Sequence, residues 1–288
     1  MRIGVIGAGP WAHTAAGPAL TAHPDIEFVG VWARRPEQAQ DLGTEVFDDV
    51  DSLIDAVDAV AFAVPPTVQA ELATKALDRG KHVLLDKPIA GTLDDARRLV
   101  DAVDRAGVMS MVTLTRRFAP ETREFLASLD GHDWAAATGT WLSGALLGGE
   151  YSSSTWRQEG GALMDVGPHV FDLLDCALGP ITDVVSTRRD VETDTWSITL
   201  AHEDKTSSVV LSMRTPVMPS VLKVVVSGDG GVRELSDRTT AAVECYRVLL
   251  DEFLESVRTG VPHACSAQRG LHLQEVIEKV LRLKPPRR

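Results

Sequence analysis

Six residues, Gly7-Ala8-Gly9-Pro10-Trp11-Ala12, follow directly on the apolar run Ile3–Ile6 and open onto a helix-like stretch. A GxGxxA at that junction restricts the fold more than any other feature of the chain. Gly7 permits a tight turn, Gly9 lets backbone approach a pyrophosphate at a helix N-terminus, and Ala12 lets helix and strand pack closely. Alone the pattern is weak, because glycine-rich turns also serve ordinary turn geometry; it gains weight inside a βαβ unit. The following residues provide that context. Short apolar runs at Phe28–Trp32, Ala59–Val64, His82–Leu85 and Ser110–Thr113 read as strands buried on both faces. Helix-like stretches lie between them, among them Thr67–Arg79 and Leu93–Ala106. Thr92 is placed to cap the second, Asp94 and Asp95 sit in its first turn, and Gly80 and Gly107 stand where helices should stop. Alternation of this kind builds a parallel sheet with right-handed crossovers. The motif then predicts a dinucleotide site.

The end of the second strand bears on which dinucleotide. NAD-specific domains place a carboxylate there for the ribose 2′-hydroxyl, about 20 residues past the glycines. This chain reads Val31-Trp32-Ala33-Arg34-Arg35, with Ala33 where the carboxylate is expected and two guanidinium groups after it. An arginine here can pair with a 2′-phosphate and stack on adenine. The plainer alternative is two solvated charges at a helix start. The pattern favours NADP, with NAD as the alternative. Val64 and Pro65 at the end of one strand, and Asp86 and Lys87 at the end of the next, complete the expected cofactor contacts.

After Pro120 the pattern changes. One helix is expected at Gly161–Leu178, then strands at Ile181–Arg188, Asp194–His202, Ser207–Arg214 and Val221–Ser227, and two closing helices at Ala241–Thr259 and Ala267–Leu283. Short polar turns such as His202-Glu203-Asp204-Lys205 suggest an antiparallel sheet. Within Asp194–His202, Trp196, Ile198 and Leu200 share one face and Thr195, Ser197 and Thr199 the other. The apolar face can cover helices; the Ser/Thr face can meet solvent or a sheet from a second subunit. The reading is thus an α/β domain over residues 1–117 and an α+β domain with an open, mostly antiparallel sheet over residues 118–288. At 288 residues and 44% hydrophobic content the chain can bury two such cores. A disordered segment is expected only in the tail Lys284–Arg288.

A net charge of -12 argues against nucleic acid or an anionic membrane as partner, since both demand a basic surface. Cys176, Cys245 and Cys265 are widely spaced, with no CxxC, and fit reduced thiols of a cytoplasmic protein better than disulfides or a zinc site. The start shows no leader pattern, and no apolar run is long enough to span a bilayer.

Two segments carry candidate chemistry. Lys87 lies just past the carboxyl end of a parallel strand, where open α/β sheets place ligands, and Pro88 biases it away from helix. An ammonium there can hydrogen-bond a substrate oxygen and steady negative charge on an alkoxide; a lone Lys-Pro is otherwise a surface turn. In Gly160-Gly161-Ala162-Leu163-Met164-Asp165-Val166-Gly167-Pro168-His169-Val170-Phe171-Asp172, Asp165 and His169 are four apart and would share a helix face. A histidine, with an ordinary pKa of about 6.5, suits proton exchange with a hydroxyl near neutral pH. The alternatives are a capping aspartate with a partly buried histidine, or a metal held by Asp165, His169 and Asp172, for which no further ligand is evident. Arg116, Arg117, Tyr151, Trp156 and Arg157 are candidate pocket residues, Arg157 being equally suited to pairing with an acid.

Together these segments resemble the glucose–fructose oxidoreductase / inositol dehydrogenase / rhizopine-catabolism (GFO/IDH/MocA) family. The resemblance rests on the GxGxxA, the match of Ala73–Pro88 to "A-L-x-x-G-K-H-V-x-x-E-K-P", and Arg117-Phe118-Ala119-Pro120. It continues through Trp156-Arg157, the match of Gly160–Asp172 to "G-G-x-L-x-D-x-G-x-H-x-x-D", and the turn Ser227-Gly228-Asp229-Gly230-Gly231. It implies that Lys87, Asp165 and His169 are the active-site lysine, aspartate and histidine, and that the substrate is a sugar, cyclitol or related polyol oxidised or reduced at one carbon. It also implies a homodimer or homotetramer formed through the C-terminal sheet. Asp86 replaces the usual glutamate, Gln69 stands where many members carry histidine, and the chain is shorter than most members. Two other activities fit the same resemblance: an NAD-dependent glycoside hydrolase, and a non-catalytic NADP-binding regulator.

Overall fold

The computed structural model describes residues 1–236 and 239–283 and divides the chain into two compact units; the expected tail Lys284–Arg288 lies outside the described residues. Met1–Phe118 and Ala241–Gln274 form the first unit, and Ala119–Thr240 with the segment from Glu275 on forms the second.

The first unit is built on six parallel strands, β1 (Arg2–Ile6), β2 (Glu27–Trp32), β3 (Glu45–Val46), β4 (Ala59–Phe62), β5 (His82–Leu85) and β6 (Ser110–Val112), in the order β3-β2-β1-β4-β5-β6. The central strands β1, β4 and β5 are buried almost throughout, because helices cover both faces and leave no polar side to alternate with. β1 lies between β2 and β4, so the strand order reverses beside it and opens a crevice at the carboxyl ends. The crossover helices are α1 (Gly17–Ala22), α2 (Val50–Ala56), α3 (Pro66–Leu77) and α4 (Leu93–Ala106). Thr92 caps α4 through Asp95 N–H, and α4 stops at Gly107, both as the sequence suggests. β3 and α2 are not anticipated from the sequence.

Residues 241–274 belong to this unit, and the division at 117/118 changes accordingly. Helix α8 (Ala242–Thr259) buries a single stripe of Cys245, Tyr246, Leu249, Leu250, Phe253 and Ser256. Tyr246 meets Trp11 edge-on at 6.2 Å, and Arg116 donates to Cys245 Sγ at 3.2 Å. The Ala267 N–H then donates to Ser110 Oγ, tying the start of α9 (Ala267–Arg282) to β6.

The second unit carries α5 (Pro120–Ala127), β7 (Trp134–Leu142), α6 (Thr155–Asp165), α7 (Gly167–Leu178), β8 (Ile181–Asp190), β9 (Thr195–His202), β10 (Lys205–Ser212), β11 (Val221–Gly228) and β12 (Gly231–Ser236). Its sheet runs β12-β11-β7-β10-β9-β8 and is antiparallel except between β7 and β10. Trp196, Ile198 and Leu200 of β9 are buried, as their shared face predicts, whereas Ser197 is exposed. α5, β7 and β12 are absent from the sequence reading, and the single helix expected over Gly161–Leu178 is two. Pro168 explains the break: it has no N–H to donate to Met164, and its ring crowds that carbonyl.

Candidate functional site

In the first unit the glycine turn is closed by Gly7 N–H donating to the Trp32 carbonyl at 2.8 Å, which ties the ends of β1 and β2. Gly7 has φ +109°, and a Cβ there would lie 2.3 Å from the Ala63 carbonyl oxygen, so only glycine fits. A Cβ on Gly9 would meet only Ala63 O at 3.6 Å, leaving open space beside the turn where a pyrophosphate could approach backbone. Pro10 and Trp11 start a helical run over residues 10–22 whose first turns are widened, with Gly17 N–H reaching the Ala12 carbonyl. Ala12 is fully buried. Val64 and Pro65 border the same turn, the Val64 side chain 2.8 Å from where a Gly7 Cβ would fall.

At the end of β2, Ala33 is buried while Arg34 and Arg35 are exposed, and neither guanidinium has a hydrogen-bond or ion-pair partner among the described residues. An open glycine turn of this kind can hold the pyrophosphate of a dinucleotide, and the two guanidinium groups stand beside it on the neighbouring strand end.

The Lys87 turn follows β5, two strands from β1, so the two turns emerge about 10 Å apart on one sheet edge. The Lys87–Pro88 peptide is cis. Gln69, fully buried on α3, holds this turn from beneath. Its amide nitrogen donates to the carbonyls of Asp86 at 2.8 Å and Ile89 at 2.9 Å, and its oxygen accepts from Asp86 N–H at 2.8 Å. A neutral imidazole has one donor and one acceptor and could not make all three bonds, whereas the carboxamide can. The departure at Gln69 thus supports the lysine turn. The Asp86 carboxylate Oδ1 accepts from Lys87 N–H at 2.8 Å and Thr113 Oγ1 at 2.9 Å, so the shorter acid of this motif grips its own turn. Burial, and secondarily the Asp86 charge, push the Tyr246 phenol above its ordinary range, so it stays neutral.

Gln69→Leu is expected to destabilise the chain by about 1–3 kcal/mol for each backbone group left unpaired. Denaturant unfolding checks this; an unchanged midpoint would mean that the turn holds itself.

In the second unit Asp165 ends α6 and His169 lies in the first turn of α7, so the pair spans a helix junction rather than one continuous face. Both are largely buried. Arg157 Nε donates to Asp165 Oδ2 at 3.2 Å, and its guanidinium lies 4.8 Å from the Tyr151 ring centroid and 4.4 Å from that of Trp156. Arg157 is thus paired with an acid, one of the two roles its sequence position suits. The His169 ring stacks on Trp141 of β7 at 5.5 Å, which fixes its plane. Arg116, a candidate for the substrate pocket, is buried in the first unit with its guanidinium on Cys245. Among the described residues no group of three or more His, Cys, Asp or Glu side chains is arranged to hold a metal ion, and no helix is long and apolar enough to cross a membrane. Sequence reasoning missed Gln69's role and the stacking residue Trp141; a buried polar residue in an amphipathic helix is the signal that could have marked Gln69.

Residues 1–114 match the model of a family described as an oxidoreductase family with an NAD-binding Rossmann fold. The chain is 35% identical over 121 residues to glucose-6-phosphate 3-dehydrogenase of Bacillus subtilis, covering 41% of this chain and 34% of that protein. It is 28% identical over 190 residues to D-glucoside 3-dehydrogenase of Escherichia coli, covering 62% of this chain and 54% of that protein. The chain therefore aligns with about a third to a half of these relatives' lengths. Among solved structures, GenD2 from gentamicin A biosynthesis, in complex with NAD, superposes with a TM-score of 0.86 at 18% identity, covering 98% of this chain and 93% of that one. A myo-inositol dehydrogenase from Corynebacterium glutamicum superposes with a TM-score of 0.85 at 20% identity, covering 98% and 95%. At these identities the likeness establishes the fold.

Proposed function

We infer that the chain, whose residues 1–114 match the model of an oxidoreductase family with an NAD-binding Rossmann fold, is an NAD(P)-dependent oxidoreductase of the GFO/IDH/MocA kind acting at a carbinol/carbonyl carbon of a sugar, cyclitol or related polyol. The observation that carries this reading is the pairing, on one sheet edge, of an open glycine turn with a lysine turn locked by Gln69 and Asp86. The nicotinamide, when bound, supplies the acceptor or donor of the two electrons. Gly7 and Gly9 bring backbone N–H groups to the pyrophosphate. Lys87 hydrogen-bonds the substrate oxygen and steadies the negative charge that develops as its proton leaves. His169 accepts that proton in the oxidative direction, and Asp165, tethered by Arg157, orients it or a neighbouring hydroxyl. The relatives named as sugar dehydrogenases support the substrate class. Buried thiols at Cys245 and Cys265 suit a cytoplasmic enzyme. Exposed Val185 and Ser197 on the second sheet suit association with a second copy.

NADP is preferred over NAD in this reading, because Ala33 offers no carboxylate and Arg34 and Arg35 offer two unengaged cations. Arg34→Ala is expected to weaken NADPH binding about 10- to 100-fold, the worth of a charge-assisted hydrogen bond, and to leave NADH nearly unchanged. A preference for NADH unaffected by the variant would overturn the assignment of Arg34. The activity itself is tested by following NADP+ reduction with a panel of aldoses, glycosides and cyclitols. Reduction with any of them supports the reading; release of free sugar from the glycosides without net reduction would replace it with glycoside hydrolysis.

A further inference from the structure

The segment bearing Asp165 and His169 begins at a break. Gly161 has φ +60° and ψ -157°, a conformation outside the reach of other residues, and it separates the first turns of α6 from the single turn that ends in Asp165. What holds the break comes from the hairpin between β8 and β9. Asp194 Oδ2 accepts from Ala162 N–H at 2.6 Å, and Oδ1 accepts from the Arg189 guanidinium at 2.8 Å. The carboxylate is 2% exposed, and a Cβ on Gly161 would lie 2.4 Å from one of its oxygens and 2.5 Å from the other. Arg189 in turn lies 4.9 Å from the ring centroid of Trp196, its cross-strand partner. Asp194 itself sits at φ +48°, a left-handed conformation that costs a non-glycine residue about 1–3 kcal/mol and persists only where its surroundings require it.

A buried carboxylate, reached through a strained turn and fitted against a glycine-only backbone, is more than a hairpin needs for its own closure. We propose that Asp194 is a positioning residue: it caps the turn that starts at Ala162 and so sets where Asp165, three residues on, and His169, just past the junction, point. The proposal rests on the oxidoreductase reading for its catalytic consequence, and on geometry alone for its structural one. Arg189 orients the carboxylate through its bond to Oδ1, and Trp196 lies against that guanidinium.

The test uses Asp194→Ala and Asp194→Asn in the full chain. Asn keeps the volume and an acceptor for Ala162 N–H but cannot pair with Arg189, so it should restore part of what Ala loses. Two readouts separate the structural claim from the functional one. The first is amide exchange at residues 162–165 together with the imidazole resonances of His169. Faster exchange there and a shifted His169 ring, with β10 and β11 unaffected, are expected. The second is steady-state kinetics: kcat is expected to fall about 10- to 100-fold in Asp194→Ala, the scale of a small misplacement of reacting groups, with NADPH affinity within twofold of the parent. Unchanged exchange and an unmoved His169 ring in a folded variant would overturn the proposal. An altered ring in the variant, with no turnover of any panel substrate by the parent chain, would instead uphold the positioning and sink the oxidoreductase reading. If Asp194→Ala does not fold, Asp194→Asn decides by the same two readouts.

Discussion

Lys87→Met is expected to lower turnover by about two to three orders of magnitude, the loss typical of one donor removed from a developing oxyanion. NADPH affinity should change only a few-fold, because the glycine turn and Arg34 are untouched. Met keeps the unbranched stem of the lysine side chain, and the turn is held by backbone contacts to Gln69 and Asp86 that this substitution does not remove. Folding should therefore survive and the loss should appear in kcat. Steady-state kinetics combined with calorimetric cofactor binding makes the check. Turnover within a few-fold of the parent, in a variant that still binds cofactor, would take the lysine out of the reaction.

His169→Gln is expected to reduce kcat by about 10²- to 10⁴-fold near neutral pH, the usual contribution of a positioned proton-transfer group. Glutamine is close to isosteric and can still lie against Trp141, so the stacking contact at 5.5 Å need not collapse into a cavity. The variant should also lose the limb of the pH–rate profile that reports the imidazole, and its residual rate should climb with pH as hydroxide replaces the missing base. A profile that keeps the same limb at a lowered rate would mean that another group titrates there.

The parallel sheet was legible because its central strands are buried on both faces and so appear as apolar runs, such as Ala59–Phe62 and His82–Leu85. β7 was not. Its first six residues, Trp134-Ala135-Ala136-Ala137-Thr138-Gly139, are poor in branched side chains, and at Gly139 α7 lies so close that a Cβ would fall 2.5 Å from Val170. The two-residue strand β3 is too short to show any period. Lys87, Asp165 and His169 could be found through local motifs, and the glycine turn through its place in a βαβ unit. What supports them could not. Gln69 acts on a turn 17 to 20 residues away, and Asp194 accepts from an amide 32 residues earlier, so neither leaves a local pattern. The expected helix over Gly161–Leu178 was divided by Pro168 and bent at Gly161, where the sequence offered only composition. The return of α8 to the first unit likewise depends on an apolar stripe that does not say which unit it covers.

The central claim is that the first unit holds a nicotinamide dinucleotide at the glycine turn. Its most direct test is a calorimetric titration of the folded, cofactor-free chain with NADPH and, separately, with NADH. Saturable one-to-one binding, tighter for NADPH, is the result predicted here. Binding of neither dinucleotide by protein shown to be folded would contradict the oxidoreductase assignment.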